Sequence, residues 1–315
     1  MLNQTPVTEF LLLGVTDIQV LQPVLFVVFL ATYIVSVAGN AAVLMVVVSD
    51  PRIHSPMYFF LGNLSCLDIC YSTVTLPKML ENFLSTHKAI SFSGCISQLH
   101  FFHFMGSTES MLLAVMGFDR FVAICKPLHY PLIMSHQVCF QMATTVWIIG
   151  FFHALLHSVM TSRLNFCGSN HIQHFFCDVK PLLELACGST DLNEWLLNTV
   201  TGTFAIGPFF LTLLSYAYVI IYLLFKTHSC SMLHKALSTC VSHFMVVVLF
   251  YAPVVFTYIR PYESTINKIV AIFYSVITPL LNPLIYTLPN KDVKEALKVL
   301  VSRMKKVYRS SREKK

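Results

Sequence analysis

Charge is what this sequence has least of. Lys, Arg, Asp and Glu make up 11% of its 315 residues, apolar residues make up 56%, and the mean hydropathy is +0.68. So few charges cannot form the exterior of a water-soluble domain of this size. Other absences narrow the chemistry. The sequence has no phosphate-binding glycine loop, no His-Glu-x-x-His helix and no strand-turn-helix nucleophile elbow, so no enzymatic constellation is expected. Internal repeats, low-complexity linkers and inverted pairs of broken helices are also missing, which weighs against a transporter. The alternating ten-residue pattern of an outer-membrane barrel does not occur. No basic, short apolar, small-residue leader opens the sequence, so the first apolar run is expected to act as the targeting signal.

What is present is a set of long apolar runs. A hydrocarbon core about 30 Å thick needs about 20 apolar residues per helix, and inside it only helices or closed barrels satisfy their backbone groups. Seven runs meet that length: Pro23 to Val48, Met57 to Leu80, Ile96 to Cys125, Cys139 to Met160, Trp195 to Phe225, Ala236 to Ile259 and Ile266 to Leu288. The fold class is therefore all-α, a seven-helix transmembrane bundle. It divides the chain into an N-terminal segment (1–22), the bundle (23–288) with a long loop at 161–194, and a tail (289–315).

Basic residues orient such a bundle, because Lys and Arg accumulate on the cytoplasmic side. Residues 1–22 contain neither, whereas the tail carries Lys291, Lys294, Lys298, Arg303, Lys305, Lys306, Arg309, Arg312, Lys314 and Lys315. The N-terminus is expected outside and the C-terminus in the cytoplasm, at a plasma membrane. The net charge of +6 then belongs to a tail beside anionic membrane lipid and does not indicate nucleic-acid binding. Within that tail Val293, Leu297, Leu300, Val301 and Met304 recur at helical spacing between lysines, the pattern of a short amphipathic helix lying on the inner membrane face.

On the outer side, Asn3-Gln4-Thr5 is a usable glycosylation sequon. The long loop contains Cys167, Cys177 and Cys187, and Cys95 sits at the mouth of span three. Four cysteines in an oxidising compartment allow three pairings, and spacing does not choose among them.

Ionisable groups inside a bilayer are costly, so each one is a functional candidate. Asp68 and Glu109 each lie about 11 residues from the inner end of their span, roughly 16 Å above the inner boundary. Two carboxyls at one depth either share a proton or hold a cation, with sodium the natural guest and Asn282 a further oxygen donor. In span three His103, Gly106, Ser107 and Ser110 share one stripe, and Tyr251, Val254, Val255 and Tyr258 do so in span six. Facing stripes of this kind, with Phe102 beside His103, would line a mostly apolar cavity with a few hydrogen-bonding tips. His100 with His103, and His153 with His157, have spacings that permit a metal, although histidines within helices more often hydrogen-bond to neighbours. No metal is assigned.

Several segments together resemble one family. Ile53-His54-Ser55-Pro56-Met57-Tyr58-Phe59-Phe60-Leu61 leads to Asp68 and Pro77-Lys78-Met79-Leu80, and Met116-Gly117-Phe118-Asp119-Arg120-Phe121-Val122-Ala123-Ile124-Cys125 ends span three. Ser215-Tyr216, Lys235-Ala236-Leu237-Ser238-Thr239-Cys240-Val241-Ser242-His243 and Pro279-Leu280-Leu281-Asn282-Pro283-Leu284-Ile285-Tyr286 stand in spans five, six and seven. The chain thereby resembles the olfactory receptors, tetrapod type, of the rhodopsin-like (class A) G-protein-coupled receptors.

The resemblance implies a receptor for small hydrophobic odorants that acts through a stimulatory olfactory-type G protein, raises cyclic AMP and resides in olfactory neuron cilia. It implies that Asp119 and Arg120 lock the inactive bundle, that Tyr216 and Tyr286 swing toward Arg120 on activation, and that Asn282-Pro283 is the deformable part of span seven. It also implies disulfides Cys95 to Cys177 and Cys167 to Cys187. Thr201 and Phe204 from span five and Ser275 from span seven join the expected cavity by helical phase and resemblance. The chain departs from the family pattern at Phe121, usually Tyr, and at Pro289, usually Arg. A transporter or an adhesion protein is the competing class; substrate flux or the absence of any ligand-dependent change would distinguish them.

Overall fold

The computed structural model describes residues 7–16, 18–50, 55–167, 169–226, 230–259, 264–287, 293–300 and 302, with side chains omitted for 230–239, 258, 259 and 264. Asn3, Pro289, the tail from 303 onward and the side chain of Tyr258 lie outside the described residues. The apolar runs become α1 (Gln22–Ser49), α2 (Pro56–Leu84), α3 (Phe92–Cys125), α5 (His136–Ser162), α8 (Gly202–Lys226) and α9 (Cys230–Ile259), with span seven divided into α10 (Ser264–Ile272) and α11 (Thr278–Thr287). Short helices α4 (Tyr130–Ile133), α6 (Val179–Leu183) and α7 (Asp191–Leu196) lie between them, and residues 293–300 form α12.

The starts are chemically marked. Pro56 opens α2, where a missing N–H costs nothing. Ser91 caps α3 by accepting from the Gly94 amide at 3.1 Å, and Ser135 caps α5 by accepting from Val138 at 3.4 Å.

Polarity is inverted relative to a soluble protein. Val24, Val27, Ile34, Phe152, Leu214 and Leu224 face outward, while Asn40, Asp68, Glu109, Asp119 and Asn282 are buried. An apolar exterior of this extent is stable only against lipid. Among the described residues, six helices are long and apolar enough to cross a membrane. The exception, α3, spans 34 residues but carries Gln98, His103, Glu109, Asp119 and Arg120. It runs through the centre, packed on α2, α5, α8 and α9, so its polar side chains meet protein.

Interior prolines tie the helices together. Each removes the amide that would serve the carbonyl four residues earlier. Opposite Pro208, Ser110 donates to the Phe204 carbonyl at 2.7 Å; opposite Pro253, Thr278 donates to Leu249 at 3.4 Å; opposite Pro283, Asn40 donates to Pro279 at 2.9 Å. Three backbone defects thus become links between α3 and α8, α9 and α11, and α1 and α11.

At one end of the bundle sits a cap. Strand β1 (Glu9–Leu12) pairs antiparallel with β2 (Ala89–Ser91) and parallel with β3 (His171–Ile172). Disulfides join Cys95 to Cys177 and Cys167 to Cys187, with Cα separations of 5.4 and 5.8 Å. Phe10, Leu12, Ile172 and Leu182 pack around the first of these. Among the described residues, this small sheet and an isolated bridge between Phe166 and Ala186 depart from the all-helical expectation: strands of two to four residues leave no periodic signal. At the other end, α12 lays Ala296, Leu297 and Leu300 against Val46 and Tyr58.

Candidate ligand cavity and switch

Beneath the cap lies a cavity of ≈ 120 Å³ among α2, α3, α5, α8, α9 and span seven. Of the residues expected there, Phe102, His103, Gly106, Ser107, Thr201, Phe204 and Val254 line it. Tyr251, Val255 and Ser275 do not. Tyr251 lies deeper, fully buried, its hydroxyl donating to the Ser110 carbonyl at 2.7 Å. Ser275 faces its own helix, donating to Ala271 at 2.6 Å. Phe250, Val254 and Thr257 form the actual stripe of span six, one position off the expected one.

The phase error in span seven has a visible cause. Residues Phe273–Ile277 make a π turn, which inserts an extra residue and rotates the helix at that level, so that Tyr274 reaches the cavity and Ser275 does not. A second π turn, Leu197–Thr201, occupies the matching level of span five and presents Leu197 and Thr201 to the same space. Sequence reading also missed Tyr71, Ala205, Asp178 and Lys180 in the wall, and placed His153 only in a metal reading. One signal was available. Asp178 comes directly after Cys177, and the bond to Cys95 at the head of α3 brings its neighbour over the cavity.

The polar groups form one cluster at the cap side. His103 shares a hydrogen bond with Asp178 at 3.2 Å, and the Asp178 carboxylate also accepts from the Val179 amide at 2.7 Å. His103 and His174 hold the Asp178 carboxyl below its ordinary value against the opposing cost of burial, so it is ionised at neutral pH. The Nε2 atoms of His157 and His153 both meet the Thr201 hydroxyl, at 2.8 and 3.2 Å. His100 bonds Ser158 at 3.1 Å. Each of these histidines is therefore hydrogen-bonded to a neighbour.

Deeper in the core, the Asn282 amide donates to both oxygens of Asp68 at 3.0 Å. Glu109 is buried close by, and Glu109 Oε1, Asn282 Oδ1 and the Tyr286 hydroxyl are buried without a partner among the described residues. Buried polar atoms of this kind call for a partner such as water or an ion, because each left unpaired costs about 1–3 kcal/mol.

At the far end, Arg120 forms an ion pair with Asp119, and the Tyr130 hydroxyl donates to Asp119 Oδ1 at 2.8 Å. Tyr216 is hydrogen-bonded to His243, and Phe121 packs edge-on against Tyr218 at 5.2 Å. Tyr130 and His243 are site residues to which the sequence alone assigns no role.

The chain as a whole is similar to known proteins. A family model described as Olfactory receptor matches residues 29–304. Human Olfactory receptor 12D2 is 76% identical, covering 96% of this chain and 100% of its own length. Human Olfactory receptor 12D1 is 73% identical over 99% and 100%, and mouse Olfactory receptor 4E2 is 48% identical over 96% and 98%.

Proposed function

The chain belongs to the olfactory receptor family, a multi-pass membrane receptor for small-molecule odorants that works with a G protein, and on that premise we propose how it signals. Small, mostly hydrophobic volatile compounds bind in the cavity between α3, α8, α9 and span seven. They favour an active bundle over the resting one, and that difference in affinity shifts the population. The partner is a stimulatory olfactory-type G protein, and the output is cyclic AMP. The observation that carries this reading is a mainly apolar cavity under a disulfide-tied cap, with a largely buried Asp119–Arg120 pair at the opposite end of the same helix α3.

The capped end faces outside and the tail faces the cytoplasm, consistent with the distribution of Lys and Arg, at the plasma membrane of olfactory cilia. Arg120, Asp119 and Tyr130 hold the resting state. On activation Tyr216 leaves His243 and, with Tyr286, moves toward Arg120, while Asn282-Pro283 provides the flexible segment. Asp68 and Glu109 would hold a sodium ion, whose charge would stabilise the resting form, and Asn3 carries glycan.

The test is a screen of volatile compounds against cells expressing the chain with the olfactory-type G protein. Active compounds should raise cyclic AMP, and Arg120→Ala should abolish the response at equal surface expression. A full response from Arg120→Ala would mean that the switch lies elsewhere.

A further inference from the structure

The hydrogen bonds already made by the cavity wall constrain the ligand more closely than its apolar lining does, provided that the cavity is the odorant site. Ser107 donates its proton to the His103 carbonyl at 2.7 Å, Ser110 to Phe204 at 2.7 Å and Thr257 to Pro253 at 3.0 Å. A hydroxyl has one proton, so these three face the cavity as acceptors only. The Thr201 hydroxyl is engaged by the Nε2 atoms of both His153 and His157.

Asp178 adds a stronger acceptor. Its carboxylate lines the cavity and its side chain is 23% exposed there. Both of its hydrogen bonds, from His103 and from the Val179 amide, go to Oδ1. Among the described residues none donates to Oδ2. An ether, ester or ketone oxygen placed there meets lone pair with lone pair. A hydroxyl donates to it. A cationic amine also donates, but Lys180 in the same wall opposes a second positive charge.

We propose that the preferred ligands of this receptor are neutral hydroxyl compounds, aliphatic alcohols or phenols on a small apolar skeleton, with Asp178 Oδ2 accepting the ligand proton. Asp178 is then the specificity-determining group of the cavity, and the cap contributes directly to odorant choice.

The probes are n-hexanol, n-octanol and para-cresol against their methyl ethers and matched ketones. In cells expressing the full chain, the hydroxyl compounds should act at concentrations about tenfold or more below those of the ethers, as expected for a hydrogen bond to a charged acceptor. Asp178→Asn, which retains an oxygen for the Val179 amide, should erase that gap at equal surface expression. Thermal shift of the purified wild-type receptor supplies a readout free of coupling and of any folding defect in the variant: alcohols should raise the unfolding midpoint at concentrations where ethers do not. Ethers or ketones that match the alcohols in the wild type overturn the hydroxyl assignment and leave the odorant reading intact. An alcohol preference that survives in a well-expressed Asp178→Asn overturns the assignment of Asp178 as the acceptor. Silence toward every volatile in the wider screen, with receptor at the surface, overturns both.

Discussion

Gly150 sets how closely α5 lies on α3. A Cβ built there falls 2.2 Å from Thr108 Oγ1 and 3.3 Å from the Phe104 carbonyl, and Thr108 is itself held to that carbonyl at 2.7 Å. The obstacle is therefore a short, fixed side chain with backbone behind it. Small residues allow helices in lipid to approach in this way. Gly150→Ala is expected to cost roughly 1–3 kcal/mol through overpacking, read as a lowered unfolding midpoint of the purified receptor. Because Ser107 and His153 flank the contact, odorant potency should fall with it; an unchanged midpoint would mean that α5 can move away freely. Residues such as Gly150 were not legible in the sequence, since a glycine in a helical run carries no label for its neighbour. Asp68, Glu109 and Arg120 were, because a charge in an apolar run needs a reason wherever it falls.

The elements divide in the same way. The long helices could be read from apolar length alone, because lipid imposes a minimum span. The π turns at 197–201 and 273–277 could not, and they rotate the cavity-facing stripes away from an ideal helical phase. The cap was legible only in its cysteines. Its buried His174 makes the cap pH-sensitive. Burial, with the Lys268 ammonium adding to it, pushes the imidazole down from 6.5 to about 4, against the pull of Asp178. The unfolded cap takes up a proton that the folded cap refuses, so stability is complete above pH 6.5 and is lost as pH falls toward about 4. Asp178, whose carboxyl is held below 3.8, contributes loss only in the more acidic range, so the two windows are separate. Protection factors of β1 and β3 amides, taken relative to the intrinsic exchange rate at each pH, should therefore fall between neutral pH and about pH 5. His174→Gln should be flat over that interval. A wild type that is equally flat would place the proton elsewhere.

At the scale of the whole molecule, the seven-span bundle and the two ends of α3 follow from hydropathy and charge, and family membership identifies the chain as an odorant receptor. Neither states how the middle of the bundle balances two carboxyls. Asp68 accepts from Asn282 at both of its oxygens, and Glu109 Oε1, Asn282 Oδ1 and the Tyr286 hydroxyl have no partner among the described residues of the same buried region. The oxygens come from α2, α3 and α11, so a cation there would link three helices. Sodium suits such a set of hard oxygen donors, and a shared proton is the alternative solution to the same repulsion. A ligand that binds the resting bundle better than the active one must both stabilise it and reduce basal signalling. Replacing choline by sodium at constant ionic strength should therefore raise the unfolding midpoint and lower basal cyclic AMP in the wild type, and Asp68→Asn should remove both effects. If stability instead tracks pH and ignores sodium, the pair holds a proton, and the helices are linked by a hydrogen bond between Asp68 and Glu109.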